Sequence, residues 1–483
     1  MGSRKPATIA LLLLACWLLA THPLQIGASP QRPTRNAILS LGQNERTFLI
    51  LTDIHFDPFT GTDPRGVEAL ASSPVEKWSA ILQSSAIPNV PRDGPDSGYT
   101  LFISALAAAR NSGQYDYILV LGDFLAHDFP RKYRQFRPDA RGYQEFVIKT
   151  MLFVNRTIQQ SFPKVPIVGA LGNNDSITGD YAAPGKPLLL ALSKGWKTVA
   201  RNPHAARDFL AGGYYAVPHP TVPSQEIIVL NTSFWSRLYT DDTSPAGANA
   251  DAGSAEMSWL ASKLDEVRAE RRTAALVMHL PPGIDAYASS HAGNEGLCRT
   301  PTLFWKKTHL DSFLAIISSH KESLRDSYAG HTHINDFRVV TDAGGMPYFQ
   351  TNIAPSVSPD LHNPEFEIGV YNKDDGALVD YAVEYSKHSR EIGSSGSSDW
   401  QLAYDFRGLS TLPSYSPASL RTVSLLIRSS DAIRSKLLDL FAAHVSAAAS
   451  LSAKDWLPYS CAQTEITPGA FTTCSCPTGP ASH

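Results

Sequence analysis

Several apolar runs in this chain of 483 residues end on side chains that carry chemistry. Phe48–Thr52 (FLILT) leads into Asp53-Ile54-His55, and Tyr117–Gly122 (YILVLG) leads into Asp123, with His127 four residues further on. Val165–Gly172 (VPIVGALG) is followed by Asn173-Asn174-Asp175, Ala274–His279 (AALVMH) ends on His279, and Leu324–His333 closes with Gly330-His331-Thr332-His333. Short β-branched runs bounded by Gly and polar residues read as buried strands, and Ile227–Asn231 (IIVLN) adds one more. Helical periods fill the gaps: Val147, Met151, Val154 and Ile158; Trp259, Leu260, Leu264 and Val267 behind Ser254 as N-cap; and Phe304, Leu310, Phe313, Leu314 and Ile317. Strands alternating with helices predict an α/β architecture with ligands at the carboxyl ends of the strands.

The residue types point to a metal centre. One Asp-x-His or Gly-Asp occurs by chance in many chains, whereas five such segments in order at strand ends form a constellation. Carboxylate, imidazole and amide donors without a thiolate suit two divalent ions, Zn²⁺ first, with Mn²⁺ or Fe as alternatives. Two carboxylates neutralise only part of the charge of two such ions, leaving a positive centre apt for a phosphate ester.

The order D-x-H, G-D, G-N-N, H, G-H-x-H resembles the calcineurin-like metallophosphoesterase superfamily. The resemblance implies a four-layer α/β/β/α sandwich with its site at one sheet edge. It implies that Asp53, His55 and His333 hold one metal, that Asn173, His279 and His331 hold the other, and that Asp123 bridges them. LTDIHFDP, GDFLAHD, Gly212-Gly213-Tyr214-Tyr215 ahead of IIVLNTS, and Asn352–Pro359 (NIAPSVSP) are similar to the acid sphingomyelinase-like phosphodiesterase branch. That branch implies a hydrolase of phosphoric esters acting on phosphodiester or pyrophosphate bonds of soluble substrates such as nucleotides. Many relatives carry His where this chain has Asn174. An amide can hydrogen-bond a phosphate oxygen but cannot supply a proton at a useful pKa, so His127 becomes the candidate acid or phosphate clamp. Endopolyphosphatases are similar too and tolerate Asn at this place. Acid sphingomyelinase itself has a saposin domain ahead of its catalytic domain, and the short stretch before Phe48 leaves no room for one. Polyphosphate and sphingomyelin are therefore the alternative substrates, and a protein that binds metal and phosphate without turnover is the rival reading.

The ends of the chain predict export. Arg4 and Lys5 precede the apolar run Ile9–Ala20, which is shorter than the roughly 20 residues a membrane span needs, so residues 1–28 read as a secretory signal. Leu14-Ala15-Cys16 loosely resembles a lipoprotein cleavage box, but the apolar run continues through Trp17-Leu18-Leu19. A secreted, periplasmic or lumenal location follows, with no transmembrane segment in the mature chain. Removing Cys16 leaves Cys298, Cys461, Cys474 and Cys476, and the clustering of three near the end predicts a disulfide closing the tail, Cys461 with Cys474 or Cys476. The catalytic domain is expected over 29–390. The Gly/Ser segment 393–398 reads as a linker or loop, and 391–483 as a helical subdomain, one helix starting at Ser416-Pro417 and another carrying Ile433, Leu437, Leu440 and Phe441. With 42 Lys+Arg against 45 Asp+Glu there is no basic footprint for nucleic acid, and the expected partner is a phosphate-ester substrate. Asn155 and Asn231 match glycosylation acceptors, His219 is a candidate for the cleft wall, and His291, His309 and His320 read as surface or helix residues.

Overall fold

The computed structural model describes residues 39–87, 95–240, 251–360, 362–387, 400–441 and 456–476. The signal segment 1–28 and the Gly/Ser segment 393–398 lie outside the described residues. In chain order the strands are β1 (Glu45–Leu51), β2 (Ile118–Val120), β3 (Ile167–Gly169), β4 (Tyr215–Pro218), β5 (Gln225–Val229), β6 (Thr273–Val277), β7 (Leu324–Ala329), β8 (Asp336–Thr341), β9 (Pro347–Ile353), β10 (Glu365–Asn372), β11 (Leu378–Ser386) and β12 (Trp400–Asp405). They form two six-stranded sheets, ordered β12-β11-β10-β1-β2-β3 and β4-β5-β6-β7-β9-β8. Parallel pairing of β1 with β2 and β2 with β3, and of β5 with β6 and β6 with β7, sends the carboxyl ends of these strands in one direction within each sheet.

Each expected strand falls where its apolar run lies, and the runs are continuous because both faces are covered. Ile227, Val229, Ala275 and Val277 join the core shared with the first sheet, while Ile228, Leu230, Leu276 and Met278 join a second core with Leu260, Leu264, Phe313 and Ile317. Those last four belong to the helices Ala252–Ala269 and Lys307–Ser319. On the first sheet's side, Tyr99–Ser112 and Tyr143–Ser161 bury Phe102, Leu106, Val147, Met151 and Val154. The layers are therefore helix, sheet, sheet, helix. Phe48 of β1 joins the middle: it stacks on Tyr117 at 4.7 Å and meets Tyr328 of β7 edge-on at 5.5 Å. Truncating such a buried ring to Ala costs about 3–5 kcal/mol.

Two helix starts differ from expectation. Asp251, not Ser254, caps Ala252–Ala269: its carboxylate accepts from Gly253 N, while the Ser254 hydroxyl donates to the same side chain. Phe304 lies ahead of the helix at Lys307 and is free to face the site. Beyond residue 390 the described chain begins with a strand, β12, antiparallel to β11 at the edge of the first sheet. Its pattern was weak because Gln401 and Leu402 are exposed and only Tyr404 is buried. Helices follow at Pro417–Ser429, capped by Ser416, and at Asp431–Phe441, Trp456–Thr464 and Pro468–Ser475. Cys461 pairs with Cys474, and Cys298 pairs with Cys476. The tail buries Cys461, Ala462 and Phe471 against Ile284 and Ala286, so it clamps the segment that follows β6. Among the described residues no helix is long and apolar enough to cross a membrane. Asn155 and Asn231 are buried, so neither acceptor is presented in the folded chain.

Candidate metal centre

The site forms where strand ends of both sheets meet. Asp53 follows β1, Asp123 follows β2, Asn173 follows β3, His279 follows β6, and His331 and His333 follow β7. Backbone bonds lace these loops together: Asp53 N donates to Gly122 O, His55 N to Asp123 O, Gly330 N to His279 O, and Ser358 N to Asp53 O. Asp53, His55, Asp123, His331 and His333 all have φ between 43° and 73°. Non-glycine residues rarely adopt this left-handed backbone, and its cost is tolerated where surrounding bonds over-determine it. Two glycines make room. A Cβ on Gly172 would lie 2.1 Å from Asp123 Oδ1, and one on Gly330 would lie 2.1 Å from Thr52 Oγ1 and 2.5 Å from Asp53 Oδ2.

All seven residues expected as ligands converge. His55 Nδ1 donates to Leu125 O at 3.0 Å and His279 Nδ1 donates to Leu121 O at 2.8 Å. A carbonyl can only accept, so these bonds fix the tautomer and turn a bare Nε2 inward in the neutral ring. His55 Nε2 faces His333 Nε2 at 3.2 Å and Asp123 Oδ2 at 3.5 Å. His279 Nε2 faces Asn173 Oδ1 at 3.1 Å and Asp123 Oδ2 at 3.2 Å. Asp53 Oδ1 lies 3.3 Å from His333 Nε2, and its Oδ2 accepts from Thr52 Oγ1 and His331 N. The donor atoms of Asp53, His55 and Asp123 lie within 4.8 Å of one another, as do those of Asp123, His279 and His331. Asp123 belongs to both groups. Nitrogen and oxygen donor atoms gathered this closely fit bound cations, so the residues present suit a dinuclear metal site.

The electrostatics agree. Burial would raise Asp53 and Asp123, but the His279 and His333 rings beside Asp53, and His279 beside Asp123, hold both well below the usual carboxylate range. Burial would lower His279, yet the Asp123 and Asp53 carboxylates outweigh it and lift it to about 10. The centre has a surplus of negative charge that a cation would satisfy.

His127 and Asn174 flank this cluster differently. The His127 ring stacks on His55 with centroids 3.8 Å apart, and its Nδ1 donates to Asp96 Oδ1 at 2.7 Å. Burial lowers its pKa, but the Asp96 hydrogen bond and charge outweigh this and raise it to about 9. One ring nitrogen of His127 also lies within 4.8 Å of donor atoms of His55 and His333. Asn174 turns inward instead: its backbone N and its Nδ2 donate to Asp123 Oδ1 and Oδ2 at 2.9 and 2.8 Å.

Sequence reasoning missed several residues around the cluster. Asp96 holds His127; Asp180 Oδ1 accepts from Asn173 Nδ2 at 3.0 Å; Asp360 lies 3.8 Å from His333 Nδ1. Phe304 sets its ring edge-on to His331 at 5.3 Å. Asp175, which was read only as part of a motif, accepts from the backbone N of Gly172, Phe124 and Leu125 and so ties two loops together. His219 does not line the cleft. It is buried between Tyr117 and Tyr371, and its Nδ1 accepts from Thr221 N and Val222 N. His309 sits in the helix Lys307–Ser319, His320 caps it, and His291 ends a short helix on the surface.

A carboxylate shared by two donor groups, on the facing edges of two sheets, is the centre of a metal-dependent phosphoric ester hydrolase. The chain belongs to the calcineurin-like phosphoesterase family, whose model matches residues 46–335. Its relatives are acid sphingomyelinase-like phosphodiesterases. It is 25% identical over 434 residues, 84% of each chain, to the Homo sapiens cyclic GMP-AMP phosphodiesterase SMPDL3A. It is 24% identical over 396 residues, 78% of each chain, to the Homo sapiens acid sphingomyelinase-like phosphodiesterase 3b. With the Homo sapiens sphingomyelin phosphodiesterase it shares 24% identity over 406 residues, 77% of this chain but only 56% of that one.

Proposed function

We propose that this chain is an exported phosphodiesterase in which Asp53, His55 and His333 hold one divalent cation, Asn173, His279 and His331 hold a second, and Asp123 lies between them. The observation that carries the reading is the membership of Asp123 in both donor groups. Zn²⁺ suits the imidazole-rich set best, with Mn²⁺ or Fe as alternatives. Such ions, when bound, polarise phosphoryl oxygens and lower the pKa of a water molecule. The protein's own contribution is orientation. Leu121 O and Leu125 O hold two imidazoles with Nε2 inward, and Asn174 fixes both oxygens of Asp123. In the displacement, a water oxygen bonds to phosphorus and sheds a proton to solvent, while the bond to the leaving oxygen breaks and that oxygen keeps the electron pair. His127 donates a proton to that oxygen and regains one from solvent. The inward turn of Asn174 supports giving the acid or clamp role to His127 rather than to Asn174.

Soluble diesters come first as substrates. The relatives matched over most of their length include one named for cyclic GMP-AMP, so nucleotide diesters lead, followed by pyrophosphate bonds. Two disulfides suit an oxidising compartment, which supports export. The test uses residues 29–483: bound metal by elemental analysis, and turnover of bis- against mono-nitrophenyl phosphate. Two metals with faster diester hydrolysis are expected. Two metals with no turnover of either ester would overturn the enzyme reading in favour of a binding protein, and faster monoester turnover would overturn the diesterase.

A further inference from the structure

We propose that Asp96 is a positioning residue for His127, fixing the ring's orientation so that Nε2–H is the donor left free beside the metal centre. The inference rests on the reading that His127 acts on the substrate. Asp96 Oδ1 accepts twice from one residue, from His127 Nδ1 at 2.7 Å and from His127 N at 3.1 Å, so the ring is tied to its own backbone through a single oxygen. The other oxygen is engaged by Lys132 Nζ, which also bonds Asp57 Oδ2 at 2.6 Å. Asp57 in turn accepts from Phe59 N, Thr60 N and Thr60 Oγ1. The Asp96 side chain is 2% exposed and cannot rotate without breaking its bond to Lys132 or its bonds to His127. With Asp96 on one edge of the ring and the His55 face 3.8 Å below it, one ring orientation remains, while 32% of the His127 side chain stays exposed.

Two loops and a helix supply this support: the loop after β1 (Asp57), the one before Tyr99–Ser112 (Asp96), and the helix Phe129–Phe136 (Lys132). None of the three side chains belongs to the donor groups around Asp123. A carboxylate behind an imidazole is also a common arrangement for a metal-bound histidine, so the experiment must separate the two roles.

The test is a double-mutant cycle on the full mature chain loaded with Zn²⁺, using Asp96→Ala, Asp96→Asn, His127→Ala and the paired variants. Asp96→Ala is expected to lower kcat by about 10–100-fold with KM nearly unchanged, the range for loss of a group that orients another. Metal content and Zn²⁺ affinity by calorimetry should match wild type. Asp96→Asn keeps an oxygen that can accept from Nδ1–H and should recover part of the loss. Adding Asp96→Ala to His127→Ala should cost nothing further, because Asp96 acts only through that ring. Crystal structures supply a readout apart from turnover: the His127 ring should leave its stack on His55 in Asp96→Ala and keep it in Asp96→Asn. Multiplying losses, a wild-type kcat in Asp96→Ala, or loss of metal from it would overturn the positioning role while leaving His127 in place. A wild-type kcat or loss of metal in His127→Ala would instead overturn the reading beneath it, and the inference with it. Should Asp96→Ala fail to fold, Asp96→Asn carries the cycle.

Discussion

Asp123 combines three duties: it faces His55 and His279, belongs to both donor groups, and takes two hydrogen bonds from Asn174. Asp123→Asn replaces a charged acceptor with a half-donor amide. It is expected to lose bound metal and at least about 100-fold in turnover, read by elemental analysis and nitrophenyl diester assay; unchanged turnover would sink the bridging assignment. Gly172→Ala makes a second test, since its Cβ would lie 2.1 Å from Asp123 Oδ1. A metal affinity within twofold of wild type would show that the loop yields easily. At this scale the sequence was informative where chemistry demands a residue type. Asp53, His55, Asp123, Asn173, His279, His331 and His333 were legible because they sit beside apolar runs in a motif order. Asp96 was not, because nothing in GPDSG marks an acid that reaches His127 across 31 positions. Nor was the left-handed backbone at five of the seven, since Asp and His are ordinary choices in any loop.

Among the elements, strands made of unbroken apolar runs were readable, the edge strand β3 included, whereas the interior strands β9, β10 and β11 and the edge strand β12 were not. β5 and β6 announce themselves because both faces are apolar, whereas β12 is half exposed and adds to its sheet mainly through backbone bonds to β11. The tail was half readable. The expected partner of Cys461 proved to be Cys474, but the bond from Cys298 to Cys476 spans 178 positions and no local pattern encodes it. That bond ties the short helix Gly293–Cys298 to the residue capping the last described helix, Pro468–Ser475. Cys298→Ser with Cys476→Ser should cost about 2–4 kcal/mol and lower Tm by a few degrees. Limited proteolysis should then cut first between 286 and 303; equal Tm and equal protection would mean that Ile284, Ala286 and Phe471 hold the tail unaided.

The molecule as a whole fully buries several acids. Burial lifts Glu256 and Glu367 to about 8 and raises Glu365 well above its ordinary value, and it outweighs the hydrogen bonds that Asn231 N gives Glu256 and that Asn335 and Asn352 give Glu367. Each of these acids is held protonated in the folded chain where the unfolded chain would ionise it. Their stabilising share is complete below the ordinary glutamate value of 4.5 and is lost as pH rises through about 8. Buried histidines held low, such as His219 and His362 at about 4, oppose this only below 6.5. Between pH 6.5 and 8 the Tm of the metal-free protein should therefore fall, and Glu367→Gln should flatten the slope; a Tm that rises across this window would refute the account. Sheet order carries a different consequence. β1 lies between β2 and β10, whose first residue comes 320 positions after that of β1, and the proposed ligands run from Asp53 to His333. Pairings this distant in sequence form late, after the first 372 residues have been made. If the chain is exported as proposed, threaded through a translocation pore in extended form, it carries no finished coordination sphere with it. Its ions would then be drawn from the compartment where it comes to rest, so its metal occupancy would report on that compartment's supply and not on the cytosol's.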